Sequence, residues 1–285
     1  MSTKQSNSLS ETRLAFIGAG VMAEAMIAGL LHEEIVIPEQ IVASHPRAER
    51  REELTQRYKI RAFERNIDAV RETQSAESSM VVLCVKPQRV LRVMDELQTV
   101  INDGQLVISI VAGSSIETIS KHLGTSKVVR AMPNTPAQIG HGMTAWTCTD
   151  EVCESERTQV AALLSALGKQ LFVETEHMID MATSLSATGP TYIFMLMEAL
   201  TDAGVHLGFS REIAKELVQE TMLGSTLFAM ESHKHPAELR NMVTSPGGTS
   251  AAAIYEMEKG GLRTVLSKAV YAAYQRAVAL GKRTQ

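Results

Sequence analysis

The stretch Leu14-Ala15-Phe16-Ile17-Gly18-Ala19-Gly20-Val21-Met22-Ala23-Glu24-Ala25 decides the fold. A β-rich apolar run stops at Ile17, the pattern Gly18-x-Gly20-x-x-Ala23 follows, and a helical pattern continues through Leu31. Gly18 permits a tight turn, Gly20 lets backbone amides approach a pyrophosphate, and Ala23 is small enough for the helix to pack against the strand. The helix start adds unpaired N–H groups and a partial positive charge. Placed at the first strand–turn–helix of a βαβ unit, the pattern reads as a dinucleotide grip.

The second strand, Ile41-Val42-Ala43, leads into Ser44, His45, Pro46 and Arg47, with Arg50 and Arg51 beyond. A free ribose 2′-OH is usually met here by Asp or Glu. A hydroxyl and an arginine stand there instead, and Arg47 can pair with a 2′-phosphate. One charge-assisted bond is worth roughly 1.5–3 kcal/mol, so NADP(H) is expected over NAD(H), with NAD(H) still allowed. Arg50 and Arg51 are expected on a solvated helix face balanced by Glu49, Glu52 and Glu53.

Further apolar runs at Met80–Val85, Leu106–Ile110 and Val128–Met132 suit parallel strands buried on both faces. Two later runs, 143–148 and 171–174, flank a helix at 154–167 and extend the same sheet. The fold class is therefore α/β: a Rossmann-like doubly wound sheet. Open sheets of this kind bind ligands at the carboxyl ends of their strands. That places Val85-Lys86-Pro87 over the cofactor crevice, and Ala112 and Asn134 on its nicotinamide side.

After Glu176 the β signal ends. Residues 191–207, 211–230, 236–242, 250–258 and 262–281 read as helices, and 191–207 is apolar on nearly every face apart from Glu198 and Asp202. Such a helix must be covered all round, and a second copy of the chain would do it, so a homodimer through this half is expected. The division expected is a disordered tail over 1–12, a dinucleotide-binding domain over 13–175, and an all-helical substrate and dimerisation domain over 176–285. At 285 residues, with 45% hydrophobic and 21% charged residues, the chain is an ordinary globular one. A net charge of -4 argues against a nucleic-acid partner. Three cysteines without metal-ligand spacing, a polar start and no long apolar span argue for no metal, no membrane and a cytoplasmic setting.

Residues 243–251, Val-Thr-Ser-Pro-Gly-Gly-Thr-Ser-Ala, carry a second motif. Pro246-Gly247-Gly248 breaks one helix and Ser250 opens another. Consecutive amides at such a start form an anion site suited to a carboxylate, with the Thr249 and Ser250 hydroxyls beside it.

Taken with IGAGVMAEA, CVKPQ, RAMPNTP, SATGPTY and HPAELRNMVTSPGGTSAAAI, the sequence resembles the pyrroline-5-carboxylate reductases over nearly its whole length. The resemblance implies NAD(P)H-dependent reduction of L-1-pyrroline-5-carboxylate to L-proline, on a homodimer whose helical domains interlock and stack into larger rings. It maps the phosphate turn to Ile17, Gly18, Ala19, Gly20, Val21 and Met22, and the adenosine-end contacts to Ser44, Arg47 and Asn66. Lys86, Pro87 and Ala112 fall on the nicotinamide side, and Glu176, Gly248, Thr249 and Ser250 on the substrate. This chain departs from the family in carrying Ser250 for a Thr and Met242 for an Asn, with Asn241 one step back.

The mechanism expected is hydride transfer to the C=N carbon of the cyclic imine, with the amides of Gly248, Thr249 and Ser250 on the carboxylate and the Ser250 hydroxyl on the nitrogen. Two alternatives are a β-hydroxyacid dehydrogenase and a non-catalytic NAD(P)-sensing module. The first employs a lysine on the first long helix of its second domain, and none lies between Lys169 and Lys215. The second leaves the anion cradle without a purpose.

Overall fold

The computed structural model describes residues 9–76 and 78–283. Its central element is an eight-stranded sheet: β1 (Thr12–Ile17), β2 (Ile41–Ser44), β3 (Arg61–Phe63), β4 (Ser78–Leu83), β5 (Gln105–Ser109), β6 (Val128–Met132), β7 (Gly142–Cys148) and β8 (Gly168–Phe172). The spatial order is β3-β2-β1-β4-β5-β6-β7-β8. All neighbours pair in parallel except β6 and β7. The order reverses between β1 and β4, where a doubly wound sheet opens its crevice.

The helices between strands are α1 (Val21–His32), α2 (Ala48–Tyr58), α3 (Asn66–Thr73), α4 (Val90–Leu97), α5 (Ile116–Leu123) and α6 (Glu154–Ser165). Alternate side chains of a strand face opposite ways, so the sheet carries a core on each face. Leu14 and Phe16 of β1 pack with Met26, Ile27 and Leu30 of α1 and Leu163 and Leu164 of α6. Ala15 and Ile17 face Val70 of α3, Met94 and Leu97 of α4 and Ile119 of α5. From Leu14 to Ile17 both faces of β1 are buried, which is why that run is continuously apolar rather than alternating.

Beyond β8 come α7 (Glu176–Ala182), a π-helical turn at Thr183–Ala187, α8 (Gly189–His206), α9 (Arg211–Ser232), α10 (Pro236–Met242), α11 (Thr249–Lys259) and α12 (Leu262–Arg283). The chain divides into two compact units, one running to Thr188 and taking back the chain from Ala273, the other Gly189–Ala272. The second unit has almost no interior: of its residues only Thr201 and Ala214 are buried. Phe194, Met195 and Leu200 of α8 and Leu217, Leu223 and Phe228 of α9 are each about half exposed or more.

Several boundaries differ from the sequence reading, among them the division into units, since α7, the π-helical turn and the chain from Ala273 fall in the first unit. The expected tail over 1–12 is too long at its inner end: Leu9 is fully buried, and Gln40 donates through Nε2 to the carbonyls of Leu9, Ser10 and Thr12. Residues 1–8 of that tail lie outside the described part. The strand expected at 171–174 begins earlier, at Gly168, and Arg61–Phe63 adds an edge strand that no apolar run announces. No helix among the described residues is long and apolar enough to cross a membrane.

Candidate active site

The turn after β1 is built from backbone bonds. The amides of Gly18 and Ala19 both donate to the Ser44 carbonyl, at 3.2 and 3.0 Å, and Gly20 donates to the Gly18 carbonyl at 2.7 Å. Gly18 sits at φ 85°, a left-handed conformation that glycine adopts without strain. A Cβ there would also lie 2.5 Å from Cγ1 of Val85, whereas one on Gly20 would meet nothing nearer than 3.9 Å. The amides of residues 18–20 are thus used inside the turn. Those of Val21, Met22 and Ala23, at the start of α1, have no helical carbonyl four residues back and no side-chain cap at Gly20. Open donors beside an uncrowded glycine fit a pyrophosphate.

Ser44, expected as a ligand contact, is fully buried, and its hydroxyl donates to Oδ1 of Asn66 at 2.8 Å. Asn66 in turn donates to Glu96 at 2.9 Å. The two side chains satisfy each other, and Ser44 acts on the turn through its carbonyl. Of the two expected adenosine-end contacts, Ser44 is the buried one and Asn66 the partly exposed one.

Arg47 is exposed, and among the described residues its guanidinium has no ion pair or hydrogen bond. Arg50 and Arg51 differ from the solvated face expected for them. Arg50 donates from Nε to the Ala19 carbonyl at 3.1 Å, from Nη1 to Glu53 at 2.7 Å and from Nη2 to Glu24 at 2.5 Å. Arg51 holds the carbonyls of His45 and Pro46 at 3.0 and 2.8 Å. The Arg50–Glu53 pair is the one readable from spacing; the carbonyl partners and Glu24 have no sequence signal, because they meet these arginines only in the folded chain. Burial, with the charges of Arg47, Arg50 and Arg51, holds His45 below its ordinary pKa of 6.5.

The chain leaves β4 and β5 at the carboxyl edge of the sheet. Cys84 donates to the Ile17 carbonyl at 2.8 Å, and Pro87 begins a 3-10 turn with exposed Lys86 as its N-cap. Ala112 is half-buried after β5. Asn134 is spent locally: its Oδ1 accepts the Met143 amide at 2.9 Å and its Nδ2 reaches Ser186 of the π turn at 3.4 Å.

Glu176 also lies in this unit, at the start of α7. Its Oε1 accepts from Arg130 Nη1 and from the Ile116 amide, both at 2.8 Å, and Arg130 Nη2 reaches Asp180 at 2.7 Å. A polar pocket of about 250 Å3 opens there, lined by Gly113, Ser115, Arg130, Glu176, His177 and Asp180 among others.

In the second unit, Gly247 turns the chain at φ 71° and Gly248 is the N-cap of α11, with no side-chain cap bond. Gly248 donates to the Ser245 carbonyl at 3.0 Å, so its amide is not among the open donors. The amides of Thr249, Ser250 and Ala251, one residue further on, have no helical carbonyl four residues back. Asn241 is exposed near the end of α10, where its Oδ1 accepts from Arg240 at 3.3 Å. Among the described residues, no group of three or more His, Cys, Asp or Glu is arranged to hold a metal ion.

A doubly wound sheet with a glycine turn at β1 and a helical second half defines an oxidoreductase of the dinucleotide-binding class. Residues 176–280 match the family model described as pyrroline-5-carboxylate reductase dimerisation, and residues 13–113 one described as NADP oxidoreductase coenzyme F420-dependent. A pyrroline-5-carboxylate reductase of Pseudomonas aeruginosa is 41% identical over 96% of this chain and 98% of its own length. The solved pyrroline-5-carboxylate reductase of Coxiella burnetii superposes with a TM-score of 0.85 at 33% identity, covering 95% of this chain and 99% of its own. That of Plasmodium falciparum, solved with NADP bound, has a TM-score of 0.85 at 28% identity, covering 94% and 98%. The chain belongs to the pyrroline-5-carboxylate reductase family.

Proposed function

We propose that this chain reduces L-1-pyrroline-5-carboxylate to L-proline, with NADPH as hydride donor and NADH used at lower affinity. The observation that carries the reading is the start of α11. A glycine N-cap without a side-chain cap leaves the amides of Thr249, Ser250 and Ala251 turned outward, beside the Ser250 hydroxyl. That is a carboxylate cradle with a hydroxyl at its rim. The relatives' common name supplies the acid that fits it.

At the other end, the amides of Val21 and Met22 hold the pyrophosphate and the free guanidinium of Arg47 pairs with the 2′-phosphate. Lys86, Pro87 and Ala112 wall the nicotinamide side. When bound, the reduced nicotinamide supplies a hydride to the C=N carbon of the ring. The cradle fixes which ring face is presented, and such positioning supplies roughly 7–11 kcal/mol of a barrier when the reacting atoms are aligned. The Ser250 hydroxyl hydrogen-bonds the ring nitrogen, which keeps its proton as the C=N pair collapses onto it. A protonated imine is already electrophilic, so a hydroxyl suffices where a strong acid would otherwise be needed.

A second copy of the chain covers the bare helices of Gly189–Ala272, and such dimers stack into a larger ring in the cytoplasm. The test of the activity is direct: mix the protein with NADPH and the imine, follow the loss of reduced-nicotinamide absorbance, and assay proline. Oxidation that proceeds equally without the imine, or no oxidation at all, overturns the reading.

A further inference from the structure

We propose that Arg50 is a positioning residue for the phosphate turn, acting through the Ala19 carbonyl, and thereby sets the affinity for both nicotinamide dinucleotides. The inference rests on the dinucleotide-binding reading above.

The peptide between Ala19 and Gly20 leads into Gly20, the N-cap of α1. Its N–H side donates to Gly18. Its carbonyl accepts Nε of Arg50, which arrives from α2, 31 residues away. With both ends of that plane held, the direction of the next amides, Val21 to Ala23, is held as well. The rest of the guanidinium is anchored so that Nε cannot swing: Nη1 on Glu53 and Nη2 on Glu24, the latter in the first turn of α1 itself. Glu24 is fixed in its turn, because its Oε1 accepts from Arg57 at 3.0 Å and from the Tyr58 hydroxyl at 2.8 Å. Arg50 therefore ties the turn, the helix behind it and α2 into one frame, and its side chain is only 12% exposed.

This arrangement needs a planar fork with three separately directed donors. A lysine keeps the charge but lacks the Nε donor in that geometry. Arg50 also differs in kind from Arg47: it is spent on protein groups, while Arg47 is open. The turn reads the pyrophosphate, which NADPH and NADH share, so loosening it weakens both equally. Loss of a 2′-phosphate contact would weaken NADPH alone.

The experiment measures dissociation constants of NADPH and NADH for wild type, Arg50→Lys and Arg50→Met by equilibrium titration, with thermal midpoint and steady-state kinetics on the same samples. Both variants should bind both dinucleotides about tenfold more weakly, the size of one lost charge-assisted bond. The kcat at saturating NADPH and the KM for the imine should stay within about twofold of wild type. Arg50→Lys, which keeps charge and most of the volume, guards against a variant that fails to fold. Unchanged dissociation constants overturn the proposal, as does a loss confined to NADPH, or a fall in kcat with the cofactor KM unmoved. If the wild-type protein itself binds neither dinucleotide, it is the underlying reading that fails, which the titration shows separately.

Discussion

The guanidinium of Arg130, on β6 and only 5% exposed, meets Oε1 of Glu176 at 2.8 Å across 46 residues of sequence. The same oxygen takes the first amide of α5, and Asp180 takes the other arm of the arginine. A residue carried over as a substrate contact is thus also a structural partner, which ties α7 to the sheet. Removing the cation would leave two partly exposed carboxylates beside each other on the wall of that pocket. Arg130→Met should therefore lower unfolding free energy by about 3 kcal/mol in urea titration, the low end for breaking a buried pair. A loss under 1 kcal/mol would show that the cluster is solvated enough to dispense with its cation.

Glu24 links cofactor turn and stability through pH. Burial alone would raise its pKa, but hydrogen bonds from Arg50 and Tyr58, with the charges of Arg50 and Arg57, bring it below the ordinary 4.5. Burial, with the hydrogen bond to Glu24 and its charge, pushes the Tyr58 hydroxyl up to about 12 against the opposing charges of Arg57 and Arg50, so it remains a donor. Because the unfolded carboxyl takes a proton first as pH drops, stability rises with pH through this window. The contribution is fully present above 4.5 and lost as pH falls through the lowered folded value. Glu24→Gln should be less stable than wild type by about 2 kcal/mol at neutral pH. The gap should close on acidification in urea titrations run from neutral pH to below 4.5. A gap that stays constant over that range would rule out an ionised Glu24 as the cause.

How much of this was legible in sequence divides along physical lines. The buried strands β1, β4, β5 and β6 announce themselves, because burial on both faces demands unbroken apolar runs. The edge strand Arg61–Phe63 has no such demand, and its one fully exposed residue is an arginine. Gly168-Lys169-Gln170 is strand for the same reason and was placed too late, since Leu171 to Val173 is the apolar part. Both helix starts that offer amides were readable from their glycines. Which amides are open was not, because that depends on the Ser44 and Ser245 carbonyls claiming those of Gly18, Ala19 and Gly248. The fates of Arg50 and Arg51 depend on folded geometry in the same way. The π turn at Thr183–Ala187 left no signal among its small residues.

The role proposed for Arg47 is to separate the two cofactors. Its guanidinium is exposed and unpaired among the described residues, so truncating it breaks no side-chain hydrogen bond or ion pair. Arg47→Ala should raise the NADPH KM about tenfold, the worth of one charge-assisted bond, and leave the NADH KM within twofold. Equal effects on both would move Arg47 away from the 2′-phosphate.

Ser250 is the proposed hydrogen-bond partner of the ring nitrogen. Ser250→Ala should reduce kcat by about 10²-fold, at the low end for a proton-handling group, without changing NADPH affinity. Ser250→Thr keeps the hydroxyl and should restore most of the rate. A kcat untouched by Ser250→Ala would leave carboxylate binding as the only role of this helix start.

The bare helical unit demands a partner. Phe194 and Met195 of α8 are 60% and 65% exposed, and Leu217 and Phe228 of α9 are each 51% exposed. At about 25 cal/mol per Å2 of apolar surface removed from water, leaving such faces wet forfeits most of what these helices contribute to folding. Within the unit each has the other as its main neighbour, and a helix apolar on nearly all sides needs more cover than one neighbour gives. The second copy is therefore part of the stability of α8 and α9, and not an optional assembly step. Phe194→Glu places a charge in the middle of that surface, where it would be desolvated in the dimer and hydrated in the monomer. Light scattering should then show the wild type at twice the chain mass or a multiple of it, and the variant shifted toward the single chain. Reductase activity should fall with the mass, and dilution of the wild type should reproduce both losses together. A variant that keeps the wild-type mass would show that α8 is covered by something other than its own copy.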